Sequence, residues 1–109
     1  MKKTMENGIL TIDIDGLEMK TKEQLMTTMK GALSLPDYFG MNWDAFDEAI
    51  KDLSWLDDVN AINITIMNSN QVLADATEKD SNIFNQILGS AIAYWKTADE
   101  GLEFSVEYK

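Results

Sequence analysis

Residues 35–50 read Leu-Pro-Asp-Tyr-Phe-Gly-Met-Asn-Trp-Asp-Ala-Phe-Asp-Glu-Ala-Ile, a loop with proline, glycine and aromatic side chains that runs directly into an amphipathic helix. Asn42 is the predicted N-cap, because its side-chain oxygen can accept hydrogen bonds from the unpaired amides of a first helical turn. The pattern predicts a helix over residues 42–54. Its apolar side chains recur at the spacing of one helical face, at Phe46, Ala49, Ile50 and Leu53.

Acidic side chains occupy the opposite face of this predicted helix, at Asp44, Asp47, Glu48 and Asp52. Asp44 lies four residues before Glu48, and Glu48 four before Asp52; like charges at that spacing cost an isolated helix a few tenths of a kcal/mol per pair. Lys51 offsets Asp47 at the same spacing. The face can be an ordinary solvated surface of an acidic protein. Because folding does not require the repulsion, it is also a candidate for function.

The rest of the chain predicts strands that alternate with helices. A capping box from Thr21 to Gln24 opens one helix, Asn68-Ser69-Asn70 caps a second, and Gly101 marks the end of a third. Strand patterns with one buried face cover residues 8–15, 61–67 and 102–108. Helical patterns with apolar stripes cover residues 22–34, 70–76 and 80–97.

This order of elements, β-αα-β-αα-β, predicts an α/β domain whose parallel strands are joined by helical crossovers. All three strands alternate, whereas a parallel sheet covered on both faces would show continuous apolar runs. We therefore expect two layers, with all helices on one face of the sheet. Right-handed crossovers that stay on one side predict a three-stranded parallel sheet in order 1-2-3. No linker or repeat divides residues 1–109, so we expect a single domain.

Composition narrows the classes of function. The 109 residues carry a formal net charge of −10, which disfavours nucleic acid and anionic membranes as partners and favours a basic protein or a cation. The chain has neither cysteine nor histidine, so disulfides, thiolate chemistry and the commonest general base are absent. Neither a secretory signal pattern nor an apolar run of the roughly 18 residues that a membrane helix needs is present. We expect a cytoplasmic protein.

Two chemical alternatives use the same acids. Asp44 and Glu48 could form an acid–base pair of the glycosidase type, but such a pair must flank a cleft, and both lie on one convex helix face. Asp44, Asp47 and Glu48 suit magnesium or calcium by residue type, but a helix face offers too few converging oxygens and the EF-hand spacing is absent. We therefore predict no catalytic residue, no metal and no cofactor.

Aromatic side chains beside the acids favour a protein-binding surface instead. Tyr38, Phe39 and Trp43 surround the start of the acidic helix, and interface hot spots combine aromatic residues with charged anchors. One of the two rings Phe39 and Trp43 is expected to pack inward, with Phe39 suited to a hydrophobic staple. Trp43 is expected to be exposed.

Residues 35–46 resemble the signature of the barstar family, here Leu35-Pro36-Asp37-Tyr38-Phe39-Gly40-x-Asn42-x-Asp44-Ala45-Phe46. The resemblance extends back through Asp15-Gly16 and more loosely to the final strand. It implies the barstar-like fold, two layers with three parallel strands. It also implies an intracellular inhibitor that protects a cell from a ribonuclease, because in this family the loop and helix plug the basic active site and the acids replace RNA phosphates.

The resemblance implies roles for individual residues as well. Tyr38, Gly40 and Asn42 would be loop contacts, Trp43 an apolar contact, and Asp44 an acid that meets arginines of the nuclease. The sequence departs from the family's namesake at other positions. Glu48 occupies the position of the namesake's dominant aspartate, and Asp47 occupies the position of a large aromatic residue. Tyr94-Trp95-Lys96 lie where the namesake carries another contacting acid. We expect these departures to redirect the chain to a different nuclease.

The predicted partner is thus a basic ribonuclease, bound one-to-one as an immunity protein binds its toxin. The alternative is an acidic interaction module with a non-nuclease partner on the same scaffold. No direct contact with nucleic acid or membrane is expected. The residues predicted to bind the partner are Tyr38, Phe39, Gly40, Asn42, Trp43, Asp44, Asp47, Glu48, Lys51 and Asp52.

Overall fold

The computed structural model describes all residues 1–109, and these form four strands and three helices joined by turns and loops. Short 3-10 turns follow the second and third strands at Gly16–Glu18 and Ser69–Gln71. The strands are β1 (Lys2–Glu6), β2 (Ile9–Asp15), β3 (Ala61–Met67) and β4 (Glu103–Tyr108). The helices are α1 (Lys22–Ala32), α2 (Trp43–Ile50) and α3 (Glu78–Thr97).

The strands form one mixed sheet in the order β1-β2-β3-β4. β2, β3 and β4 are parallel, and their register places Ile12 beside Ile64 and Ile64 beside Val106. β1 runs antiparallel to β2, with Lys3 opposite Ile12. The predicted order of the three parallel strands is therefore confirmed. The prediction of a three-stranded, wholly parallel sheet is wrong, because a fourth strand pairs antiparallel at one edge.

The additional strand β1 belongs to a hairpin. Asn7 and Gly8 form its two-residue turn, with φ angles of 53° and 80° that suit an Asn-Gly pair. All five residues of β1 are exposed, so no apolar alternation reveals the strand. The Asn-Gly pair was the available signal. Lys3 connects β1 to the end of α1, because its ammonium donates to the Gly31 carbonyl and the Ser34 hydroxyl.

The hydrophobic core lies between the helices and one face of the sheet. Inward side chains of the strands, such as Ile12, Ile64 and Ile66, are fully buried against residues of all three helices, such as Phe46 and Phe84. Apart from the buried Ala61, the alternating positions of β2 and β3 are polar or at least partly exposed, as expected for a sheet with one covered face. No helix of the chain combines the length and the apolar character required to span a membrane.

The first two helices begin where the sequence predicts and end earlier. The capping box of Thr21 and Gln24 opens α1, and Asn42 caps α2. α2 stops at Ile50 instead of residue 54, because Leu53 adopts a left-handed conformation (φ 53°) that breaks the helix. Leu53 nevertheless keeps its predicted place in the core.

The chain between β3 and α3 differs most from the prediction. A helix over 70–76 is absent, and the 3-10 turn and further turns take its place. Asn68 does not cap this segment, because it is left-handed (φ 49°) and its side-chain amide donates to Asp15 across the sheet. α3 starts two residues early at Glu78, with the Thr77 hydroxyl as its cap. It ends at Thr97, before Gly101.

Candidate protein-binding surface

The loop before α2 presents one aromatic ring outward and buries the next. The amide of Phe39 donates to the Pro36 carbonyl over 2.9 Å, which closes a tight turn. Phe39 is thereby buried, while Tyr38 is 85% exposed. The predicted contact Gly40 is also exposed. A Cβ at Gly40 would lie 3.2 Å from the side-chain nitrogen of Asn42, so a larger residue would crowd the cap.

The start of α2 is fixed by the predicted cap. The Asn42 side-chain oxygen accepts a hydrogen bond from the Ala45 amide over 2.8 Å, and the Asn42 carbonyl accepts from the Phe46 amide. Because the helix begins at this cap, the exposed carboxylate of Asp44 lies in the first turn, where the helix macrodipole favours a negative charge.

The acids of α2 and its C-terminal extension form an exposed surface. Asp47 is partly buried and pairs with Lys51 across 3.0 Å, as their spacing predicts. The remaining three acids have no basic partner within the chain. We call these three, Asp44, Glu48 and Asp52, the acidic stripe, because they follow one another at four-residue intervals on the exposed side.

A shallow pocket adjoins the acidic stripe. It has a volume of about 330 Å³ and lies between the loop and α2. Tyr38, Glu48 and Asp52 line it together with Trp55. The Asp52 carboxylate is held there by the Ser54 amide, which donates to it over 3.3 Å. Two carboxylates beside an aromatic ring suit a cationic side chain, through charge-assisted hydrogen bonds and contact with the ring face.

Trp43 was expected to be exposed, and the structure shows that it is not. It is partly buried, and its ring centroid lies 6.5 Å from that of Phe46 and 6.3 Å from that of Phe84. Its indole N–H donates to the Asp80 carboxylate over 3.0 Å, and the Lys22 ammonium lies 5.5 Å from the ring centroid. The expectation failed because the start of α3 approaches the start of α2, a proximity that local spacing does not encode.

Asp80 is a contact of the candidate surface that the sequence analysis did not identify. The hydrogen bond from Trp43 is the main cause that holds the pKa of Asp80 below its ordinary value, and the Thr77 hydroxyl and the charge of Lys22 add to it. The sequence identifies Asp80 as part of the start of a helix. No periodicity or motif connects it to residue 43, which is 37 positions away.

The family model described as Barstar (barnase inhibitor) matches residues 9–109, which is nearly the whole chain and includes the loop, α2 and the acidic stripe. The chain belongs to the barstar family. No curated protein sequence matches it. Strand β1 precedes the matched region, so this strand of the hairpin lies outside the part of the chain that the barstar family model describes.

The barstar family consists of ribonuclease inhibitors and not of enzymes. Nowhere in the chain are three or more acidic side chains arranged to hold a metal ion. Lys96 belongs to the stretch Tyr94-Trp95-Lys96, where the sequence was expected to lack an acid of the namesake, and it is exposed in the last turn of α3. A cation in the last turn stabilises the helix by interacting with the negative end of its macrodipole.

Proposed function

We propose that this barstar-family chain is an immunity protein that binds a basic ribonuclease one-to-one and covers its active site with residues 38–52. We call these residues the 38–52 segment. The acidic stripe carries the proposal, because three exposed carboxylates without basic partners follow one another from the first turn of α2 to the residue after its C-cap. Their repulsion is a cost in the free protein that a cationic active site would relieve.

The chemistry of such a complex is that of phosphate mimicry. A ribonuclease binds RNA phosphates with arginine and lysine side chains, and carboxylates can accept the same hydrogen bonds in bidentate geometry. Glu48 and Asp52 beside Tyr38 offer a pocket to one cationic side chain, and Asp44 offers a second anchor one helical turn earlier. The net charge of −10 would also accelerate encounter with a basic partner.

The predicted contact residues divide by their exposure. Tyr38, Gly40, Asn42 and the acidic stripe are exposed and are proposed to touch the nuclease directly. Phe39 and Trp43 are proposed to support this surface from below, since one is buried and the other partly buried. The ion pair of Asp47 and Lys51 is proposed to lie at the rim, where it can exchange partners during binding.

A non-nuclease partner is the alternative, since an acidic face with an aromatic ring suits other basic proteins as well. A cleavage assay separates the two functions. The purified chain is titrated into barnase and, separately, into any basic ribonuclease that an adjacent reading frame encodes, and hydrolysis of RNA is measured. We expect complete inhibition of at least one enzyme at a molar ratio of one. RNA cleavage by both enzymes in the presence of excess chain contradicts the proposal.

A further inference from the structure

All three tryptophans of the chain hold the 38–52 segment through their indole N–H groups. Trp43 donates to the Asp80 carboxylate at the start of α2, and Trp95 donates to the Ile50 carbonyl at the end of α2 over 2.8 Å. Trp55, just after the segment, donates to the Leu33 carbonyl just before the loop over 3.0 Å. The segment is therefore tied to α3 at two points and to the end of α1 at a third.

The bond between Trp43 and Asp80 differs from the other two. Its acceptor is a side-chain carboxylate, whereas Trp55 and Trp95 donate to the backbone. Two further contacts hold the indole of Trp43 in place. Phe84 of α3 packs against the indole, and the Lys22 ammonium lies over the ring. A charged acceptor makes a hydrogen bond roughly twice as strong as a neutral one.

α2 needs such external support. With eight residues it is far shorter than the roughly 12–15 residues at which isolated helices become marginal in water. Its acidic stripe adds repulsion between Asp44 and Glu48. Contacts with the rest of the fold must therefore determine where the first turn lies, and Trp43 is the residue directly before Asp44.

We propose that Asp80, which lies outside the 38–52 segment, is a positioning residue for partner binding: it holds Trp43 and thereby fixes the first turn of α2 with Asp44. This inference rests on the proposed function. Its physical benefit is preorganisation, because a first turn that is ordered before binding does not lose conformational freedom in the complex. The carboxylate acts through the indole and does not itself touch the partner.

The first test uses the free protein. Asp80→Ala removes the acceptor, Asp80→Asn keeps an acceptor oxygen, and Glu78→Ala removes the same charge from the same turn of α3 without touching Trp43. Amide hydrogen exchange is followed by NMR at Ala45 and Phe46, with a core amide of β3 as the reference. We expect Asp80→Ala to accelerate exchange at both amides about tenfold relative to the reference, with a smaller change in Asp80→Asn and little change in Glu78→Ala.

The second test measures affinity for the nuclease that the unaltered chain inhibits in the cleavage assay. We expect Asp80→Ala to weaken binding about tenfold, Asp80→Asn to restore most of the affinity, and Glu78→Ala to change it less than about twofold. In a double-mutant cycle, Asp80→Ala is expected to have no further effect once Trp43→Phe has removed the donor. Rescue by asparagine and this non-additivity distinguish positioning from a general charge effect.

The outcomes separate the two proposals. Unchanged exchange at Ala45 and Phe46 in Asp80→Ala, or equal losses of affinity in Asp80→Ala and Glu78→Ala, would overturn the positioning role. Failure of the unaltered chain to inhibit either nuclease would contradict the proposed function instead. In that case the exchange measurement still decides whether Asp80 fixes the first turn of α2.

Discussion

The ammonium of Lys51 lies 3.0 Å from the carboxylate of Asp47, and this ion pair divides the acids of the 38–52 segment into two classes. Asp47 is compensated within the chain. The acidic stripe, Asp44, Glu48 and Asp52, is not. The stripe consequently carries a repulsion that lowers the stability of the free protein and increases its attraction to a basic surface.

Glu48→Gln should separate stability from binding. Asp44 lies four residues before Glu48 within α2, so neutralisation of Glu48 is expected to raise the free energy of unfolding by a few tenths of a kcal/mol. Affinity for the inhibited nuclease should fall at least about 30-fold, because a cationic group of the partner is left buried without its anion. Thermal unfolding and isothermal titration calorimetry measure the two effects.

Glu107→Gln is the matched control for that substitution. Glu107 is an exposed acid on β4, and its removal changes the net charge by the same amount. Affinity should change less than about threefold in this variant, since distant exposed charges are screened by salt. Similar affinities of Glu48→Gln and Glu107→Gln would show that net charge, and not the acidic stripe, governs binding.

Lys51→Gln should shift binding in the opposite direction. The substitution frees Asp47, which is expected to lower the free energy of unfolding by about 0.3–0.5 kcal/mol, the usual value for such helix pairs. Association with a basic nuclease should become faster at low salt because one more carboxylate is available and one repelling charge is gone. Stopped-flow association rates test this, with Lys2→Gln on β1 as the control for net charge. Slower association of Lys51→Gln than of Lys2→Gln would mean that Lys51 itself contacts the partner.

Much of the scaffold could be predicted because its signals are local. The Asn42 cap, the capping box of Thr21 and Gln24 and the alternation of β2, β3 and β4 are each contained within a few residues. Strand β1 lacks such a signal: it pairs at an edge with every residue exposed, so its propensity for a sheet cannot be read from burial. The Asn7-Gly8 turn was the available clue.

The candidate site could be predicted in part. The helical spacing predicted one acidic face of Asp44, Asp47, Glu48 and Asp52. Three of these residues are exposed, and Asp47 is partly buried and pairs with Lys51 as their spacing predicted. The environment of Trp43 was not predictable, because it depends on how α3 crosses α2, and that crossing is set by packing of the whole core. Contacts between residues far apart in sequence carry no periodic signal.

The carboxylate of Asp15 should contribute to stability against acid. It accepts hydrogen bonds from the Asn68 side chain over 2.9 Å and from the Leu17 amide over 3.0 Å, and these two bonds hold the pKa of Asp15 below its ordinary value of 3.8. At low pH the unfolded chain therefore binds a proton more readily than the folded chain. The contribution of Asp15 to the free energy of unfolding is complete well above pH 3.8. It is lost as the pH falls through 3.8 and then through the lower pKa of Asp15 in the folded protein.

Urea unfolding at pH 7 and pH 3 measures this effect in the unaltered chain, in Asp15→Asn and in Asp13→Asn. Asp13 lies on the same strand and its side chain makes no hydrogen bond, so its variant controls for the loss of charge. The loss of stability between the two pH values should be smaller in Asp15→Asn than in the other two proteins. An equal loss in all three would show that other carboxylates account for acid unfolding.

Trp95→Phe should weaken the end of α2 and leave the acidic stripe in place. Trp95 is buried, and its indole N–H satisfies the Ile50 carbonyl, one of the carbonyls that a helix C-terminus leaves unpaired. The substitution leaves that carbonyl buried without a partner and opens a small cavity, at a cost of about 2–4 kcal/mol in the free energy of unfolding. Tyr94→Phe, at an exposed neighbour with no side-chain hydrogen bond, should cost less than about 0.5 kcal/mol in the same urea titration. Equal stabilities of the two variants would mean that the indole bond does not hold α2 against α3.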